Sequence, residues 1–165
     1  MLCPIVAAML VASASSANIV ALLQQFDDDD PAVREAAVLG VSQQLASTPG
    51  GADRKVEIAE APGMIASLVS LLDDDDAGVR VGAVHALVGL SANHLPNKKK
   101  IVGAGAVNPI VAMLADEDGA AREWAAGALS NLASVGEEVK ADMASAGAIP
   151  RLAKLLAEGG QNMRE

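Results

Sequence analysis

The chain has 165 residues, of which 52% are hydrophobic and only 1% aromatic, and its formal net charge is −9. This hydrophobic content is enough for a continuous core, and the scarcity of aromatics argues against a β-sandwich or barrel. The acidic balance argues against a nucleic-acid partner, because affinity for phosphates depends on clustered lysine and arginine. The interior must therefore be filled mainly by aliphatic side chains, which suits closely stacked helices.

The N-terminal segment is apolar and rich in small residues. We expect residues 1–16 to form a degenerate or truncated helix of a preceding repeat, because Pro4-Ile-Val-Ala-Ala-Met-Leu10 is similar to the segment that starts at Pro109. The stretch lacks the basic residues of a secretory leader and is too short to span a bilayer. Cys3 is the only cysteine, which excludes an internal disulfide and a thiolate zinc site.

One apolar helix pattern occurs four times along the chain. The copies begin at Ile19, Ile65, Val107 and Ile149, at intervals of 46, 42 and 42 residues. A period in the forties is typical of stacked helical units that cannot bury their apolar faces alone. We place the extra residues of the first interval in the loop 47–51, where proline and glycine break helices.

A longer helix is predicted after each of the first three copies, over residues 32–46, 78–92 and 120–134. Equivalent arginines occur in these helices, and so do equivalent alanines where neighbouring helices approach closely: Arg34, Arg80 and Arg122, and Ala37, Ala83 and Ala125. In the third helix, Ala125, Ala128, Leu129 and Leu132 have the spacing of one buried stripe. This periodicity predicts a repeated, core-facing long helix.

A shorter helix is predicted over residues 54–61, 97–104 and 137–146, ending near a glycine such as Gly105 or Gly147 that can adopt the left-handed conformation. The predicted fold is all-α, a right-handed α-solenoid of about three full repeats plus partial terminal repeats, over residues 17–165. Its units are about 17–51, 52–93, 94–135 and 136–165. The last unit is predicted to stop after its middle helix, with 161–165 opening a long helix, which favours a fragment of a longer array.

Runs of aspartate precede the long helices, at 27–30 and 73–76. A calcium loop needs alternating oxygen ligands, a turn glycine and a later glutamate, and these runs lack that pattern. Asp30, Asp76 and Asp118 instead lie directly before a first helical turn, where a carboxylate caps exposed N–H groups. We therefore predict capping turns and no metal site.

The sequence offers little material for catalysis. His85, His94 and Cys3 do not suggest a set of nucleophile, base and orienting group, and Gly103-Ala-Gly105 lacks the third glycine of a dinucleotide site. We predict no enzymatic activity and no cofactor. The basic run 98–100 is predicted to be a solvated face.

Residues 17–165 resemble the armadillo-repeat family. The most specific stretches are Ala125-Ala-Gly-Ala-Leu-Ser-Asn-Leu-Ala-Ser134, which looks like the third helix of that family, and residues 97–107, which look like its first junction. In the family, the third helices line a concave groove in which asparagines clamp the backbone of an extended peptide. HEAT repeats are a near neighbour of this pattern.

The resemblance implies a partner-binding face on the long helices. Asn131 matches the clamping asparagine, and the equivalent positions, expected side by side, hold Gly89 and Gln43. Members that bind basic nuclear-import peptides carry tryptophan four residues earlier, where this chain has Gly127, His85 and Leu39. Trp124 shares a helix side with Asn131, so we predict either a place in the groove or a partly buried one over its own repeat.

The resemblance also implies a protein or peptide partner, with an extended or helical segment in the groove, and no membrane or nucleic acid. We expect a cytoplasmic or nuclear location, and the oligomeric state stays open. Two alternatives remain: a cochaperone that promotes nucleotide exchange, for which Arg34-Glu-Ala-Ala-Val-Leu-Gly40 is the only support, and the substrate-binding part of a U-box ubiquitin ligase.

Overall fold

The computed structural model describes residues 18–46 and 52–162, with the backbone alone at Ala52 and at 158–162, and the architecture below refers to that part. All of its regular elements are helical, and none of the helices is both long and apolar enough to cross a membrane. The helices are α1 over 18–25, α2 Pro31–Ala46, α3 Ala52–Glu60, α4 Met64–Ser70 with a 3-10 turn at Leu71–Asp73, α5 Ala77–Ser91, α6 Leu95–Gly103, α7 Val107–Met113, α8 Gly119–Ala133, α9 Glu137–Ser145 and α10 Ala148–Asn162. The segment 1–16 and the loop 47–51 lie outside the described residues.

Short, middle and long helices alternate as the periodicity predicts. The short helices are α3, α6 and α9, the middle helices are α1, α4, α7 and α10, and the long helices are α2, α5 and α8. Helix α2 packs on α5, and α5 packs on α8, so the long helices form one continuous layer. The all-α solenoid predicted from the sequence is confirmed.

Small residues let the long helices approach one another closely. Ala37, Ala83 and Ala125 are completely buried at equivalent positions. At Gly82 of α5 an added Cβ would lie 2.3 Å from Cγ2 of Val38 on α2, a distance that real side chains do not adopt. The close spacing of α2 and α5 therefore depends on glycine at this position.

Three glycines link each short helix to its middle helix. Gly63, Gly105 and Gly147 have φ angles of 85°, 82° and 85°. These left-handed angles are cheap only for a residue without Cβ. The prediction for Gly105 and Gly147 is confirmed, and Gly63 repeats it.

The acidic turns cap the long helices. Asp76 accepts a hydrogen bond from the backbone N–H of Val79 at 3.1 Å, and Asp118 accepts one from Ala121 at 2.9 Å. In the first unit Oδ1 of Asp30 accepts from the N–H of Ala32 at 2.9 Å. Each carboxylate satisfies an N–H group that has no partner inside the helix, so these aspartates act as the predicted caps.

Two of the three equivalent arginines, Arg34 and Arg80, join one unit to the next. Nε and Nη2 of Arg34 bind both carboxylate oxygens of Asp74 at 2.8 and 2.9 Å, and Arg80 binds Asp116 in the same way at 2.7 and 2.9 Å. The Nη1 atom of each arginine also donates to two carbonyl oxygens of its own acidic turn. We call each such pair a staple, and the sequence showed the recurring arginines without revealing their partners.

The staples lower the pKa values of their carboxyl groups. The hydrogen bond from Arg80 holds the pKa of Asp116 below its ordinary value, against the opposing effect of burial. At Asp74 burial acts to raise the pKa, but the hydrogen bonds from Arg34 and from the Asp76 N–H outweigh it, so that this pKa is also lowered. Both carboxylates are thus stabilised in their charged form in the folded protein.

The fourth unit differs from its prediction. Helix α10 continues without a break from Ala148 to Asn162, whereas the middle helices α4 and α7 have seven residues each. The prediction that a new long helix opens at 161 is therefore wrong. The reason lies in the segment Ala157-Glu158-Gly159-Gly160, which lacks the aspartates that cap and turn the chain in the other units.

Candidate functional site

The faces of α2, α5 and α8 that are turned away from the core form one surface, which we call the trough. The core-facing stripes of these helices are apolar, so their opposite sides are left to solvent. All seven site residues predicted from the sequence lie on this surface and are exposed or half-buried: Leu39, Gln43, His85, Gly89, Trp124, Gly127 and Asn131. The trough is therefore the candidate site.

Asn131 lies near the C-terminal end of α8 and is half-buried. Its backbone carbonyl oxygen accepts a hydrogen bond from Oγ of Ser134 at 2.8 Å. Among the residues that the structure describes, its side-chain amide has no hydrogen-bond partner. An amide offers both donors and an acceptor, so Asn131 can bind the N–H and the C=O of a ligand backbone.

Trp124 and His85 form a stacked pair across two units. Their ring centroids are 4.2 Å apart, with the planes tilted by 35°. Trp124 on α8 is half-buried and packs partly against the core, so it contributes both to the trough and to the packing of the units. Trp124 thus combines the two predicted placements. Neither prediction included its contact with His85 of the preceding unit.

The two glycines of the trough have different surroundings. An added Cβ at Gly127 would meet no heavy atom within 4 Å, so this part of the trough is open. At Gly89 an added Cβ would lie 3.0 Å from Cδ1 of Leu45. Gly89 borders a cleft of about 220 Å³ between α2 and α5, and the cleft is lined by Ser42, Leu45, Ala46, Lys55, His85, Gly89 and Ala92.

Leu39 and Gln43 form the part of the trough on α2. Leu39 is 42% exposed, a high value for a leucine in a helix whose neighbouring Ala37 and Val38 are fully buried. Gln43 is also exposed. These two positions are equivalent to His85 and Gly89 on α5. They hold a leucine and a glutamine, where the peptide-binding pattern of the family has a tryptophan and an asparagine.

Two lysines that the sequence analysis did not assign to the site lie at one edge of the trough, formed by the C-terminal ends of the long helices. Nζ of Lys55 donates to the carbonyl oxygen of Ala92 at 3.0 Å, and Nζ of Lys98 donates to Oγ of Ser134 at 2.7 Å. The prediction of a solvated basic run holds for Lys99, whereas Lys98 is half-buried and Lys100 forms an ion pair with Glu60. The only signal available beforehand was the lysine-rich start of the short helix.

A buried asparagine holds these lysine-bearing helices in place. Asn97 is 1% exposed, and its Nδ2 donates to the carbonyl oxygens of Lys55 at 3.2 Å and Leu90 at 3.0 Å. The bonds connect α6 to α3 and to α5. His94 accepts a hydrogen bond from the N–H of Asn97 at 3.2 Å and so caps α6.

No group of three or more histidine, cysteine, aspartate or glutamate residues within 18–46 and 52–162 is arranged to hold a metal ion. The site thus consists of an amide, a stacked aromatic pair, open glycine positions and two edge lysines. Such groups bind by hydrogen bonding and contact with apolar surface.

Comparisons with known proteins agree with this architecture. Residues 95–134 match the family model of the Armadillo/beta-catenin-like repeat. A computationally designed armadillo repeat protein for modular peptide recognition is 30% identical, with a TM-score of 0.71 over 82% of this chain and 56% of that one. A designed armadillo repeat protein in complex with the peptide (KR)4 is 28% identical, with a TM-score of 0.75 over 90% of this chain and 59% of that one.

The chain spans a little over half the length of these two structures. No curated protein matches it in sequence.

Proposed function

Since the chain belongs to the armadillo-repeat family, we propose that it is a protein-interaction module that binds an extended segment of a partner protein along the trough. The observation that carries this proposal is the side chain of Asn131, which is half-exposed and makes no hydrogen bond within the described residues. An extended segment has N–H and C=O groups that need partners, and one amide can satisfy both groups of a residue.

The aromatic pair supports the same role. Trp124 is held by His85 and offers part of its ring to the trough, one turn from the open space at Gly127. A rigid tryptophan next to an unfilled position is typical of the few residues that dominate binding energy at interfaces. Two structurally similar designed proteins, one for modular peptide recognition and one in complex with the peptide (KR)4, are consistent with this function.

The test is an array of ten-residue peptides of randomised sequence, probed with the chain and with Asn131→Ala. We expect peptides recovered with the unchanged protein to bind Asn131→Ala about tenfold more weakly, because two backbone hydrogen bonds of about 0.5–1.5 kcal/mol each are lost. Calorimetry measures the affinities. The matched control is Asn108→Ala, which removes an exposed asparagine from α7 outside the trough and should change nothing.

Two results would contradict the proposal. One is that no peptide binds, and the other is that Asn131→Ala and Asn108→Ala bind the recovered peptides equally well. Trp124→Ala is a poorer test because the side chain also packs against the core. The tryptophan is more useful unchanged, since it is the only one in the chain and its fluorescence reports on the trough.

A further inference from the structure

We propose that the trough selects a segment in which an apolar side chain, of leucine or phenylalanine size, and a carboxylate side chain point to the same edge. The ligand is then acidic and apolar rather than basic. This inference rests on the proposed function and adds the chemistry of the bound segment. It is carried by the cleft beside Gly89 and by the charges of Lys55 and Lys98.

The cleft is built to receive one apolar side chain. Most of the wall surface is apolar, with Leu45 and Ala46 from α2 on one side and Gly89 and Ala92 from α5 on the other. Its volume of about 220 Å³ exceeds the roughly 150 Å³ of an apolar cavity known to hold a benzene ring. Among the described residues this space depends on glycine at position 89, since any Cβ there would start 3.0 Å from Leu45.

The charges around the cleft favour a carboxylate and disfavour a basic side chain. Lys55 lines the cleft, and the described residues place no carboxylate within ion-pair distance of Lys55 or Lys98. Each ammonium donates one hydrogen bond to a neutral oxygen, at Ala92 or Ser134, and an ammonium has three donors. Within the described residues these two ammonium groups thus lack a carboxylate partner at 4 Å or less, and a ligand carboxylate would pair with them.

The opposite edge of the trough is acidic. Glu123 is exposed near the start of α8, and a carboxylate oxygen of Glu35 lies 2.7 Å from the ideal Cβ position of Gly78 at the start of α5. In an extended segment, alternate side chains point to opposite edges, so residues two apart reach the same edge. The apolar and acidic residues of the ligand should thus be separated by one residue.

The experiment uses end-blocked ten-residue peptides of serine and threonine that carry one phenylalanine and, two residues later, one glutamate. Binding is followed by the fluorescence of Trp124 and by calorimetry. We expect at least a tenfold loss of affinity when the phenylalanine is replaced by alanine, because an apolar side chain is no longer buried. Replacing the glutamate by lysine should cost about tenfold, and (KR)4 should bind more weakly than the parent peptide.

Variants of the protein locate each preference. Gly89→Leu should fill the cleft, so that the phenylalanine and alanine peptides bind equally, while Gly103→Leu on α6, outside the trough and with open space around it, should keep the difference. The double variant Lys55→Gln and Lys98→Gln should abolish the preference for glutamate over lysine. Its control is Lys99→Gln, which removes an exposed charge from the same helix as Lys98.

The lysine variants keep Gly89, Leu45 and Ala46 of the cleft unchanged, so they test the inference even if Gly89→Leu fails to fold, as circular dichroism would show. The inference is overturned if (KR)4 binds at least as tightly as the parent peptide, or if Lys55→Gln with Lys98→Gln leaves the glutamate preference intact. The proposed function survives those results as long as Asn131→Ala still weakens binding. If no peptide on the randomised array binds, the proposed function itself fails.

Discussion

The acidic turns repeat almost unchanged from unit to unit, whereas the side chains of the trough differ between units. At the turns, the Arg34–Asp74 and Arg80–Asp116 staples have the same four-atom geometry, with distances between 2.7 and 2.9 Å. In the trough, the position of Asn131 is occupied by Gly89 in the preceding unit, and that of Gly127 by His85. The units therefore share the groups that join them and differ in the groups that face outward.

This difference has a physical origin. A staple satisfies the same requirement at both junctions where it occurs, since Arg34 and Arg80 each bind two carbonyl oxygens of their own turn and one carboxylate of the next turn. A trough residue contacts only its part of a ligand, and an irregular ligand requires different side chains along its length. Specificity therefore resides in the positions where the repeats differ.

Matched leucines give the largest expected contrast between core and trough. Leu114 is 2% exposed at the end of α7, and Leu114→Ala should lower the free energy of unfolding by about 2–5 kcal/mol because it leaves a cavity. Leu39→Ala removes the same atoms from the trough, where the side chain is 42% exposed, and should change stability by no more than about 0.5 kcal/mol. Urea denaturation measures both, and equal losses would contradict the assignment of the two faces.

Matched glycines should give effects of opposite sign. Gly82→Ala places a Cβ 2.3 Å from Val38 between α2 and α5 and should destabilise the protein by about 1–3 kcal/mol through overpacking. Gly127→Ala adds a methyl group to open space in α8 and should stabilise it by up to about 1 kcal/mol through helix propensity. Thermal denaturation measures the stability of both variants. A destabilising Gly127→Ala would show that the space beside Gly127 is filled in the folded protein.

The staple should contribute a smaller and pH-dependent effect. Asp116→Asn removes the charged partner of Arg80 and should cost about 1–2 kcal/mol near pH 7, a value limited by partial solvent screening. Because the folded pKa of Asp116 is lowered, its contribution is complete above the ordinary aspartate pKa of about 3.9 and is lost as the pH falls through the folded value.

Stability curves between pH 7 and pH 2 check this prediction. The difference between the unchanged protein and Asp116→Asn should shrink below about pH 4, where the carboxylate becomes protonated. Asp142→Asn removes an exposed carboxylate of α9 and serves as the control, with little effect across the range. If the difference in the free energy of unfolding were the same at every pH, the charge of Asp116 would not contribute to the staple.

Local signals allowed most of the fold to be predicted. The predicted long helix 78–92 corresponds to Ala77–Ser91, and the capping role of Asp76 and the left-handed Gly105 depend only on neighbouring residues. The prediction for the fourth unit was wrong because it extended the period past Glu158, where the aspartates that turn the chain are missing. The repeat period predicts the end of a middle helix only where the aspartates that turn the chain are present.

The amino-acid sequence alone determined the type, order and length of the repeated helices, because helix periodicity, caps and turn glycines act within a few residues. It also placed Asn131, Gly127 and His85 on one outward face, although their role in binding stays a prediction. Only the tertiary structure decided which distant side chains meet, such as Trp124 with His85 or Arg80 with Asp116. Those contacts depend on the rotation and spacing between stacked units, which the close packing of buried alanine and glycine sets across the whole array.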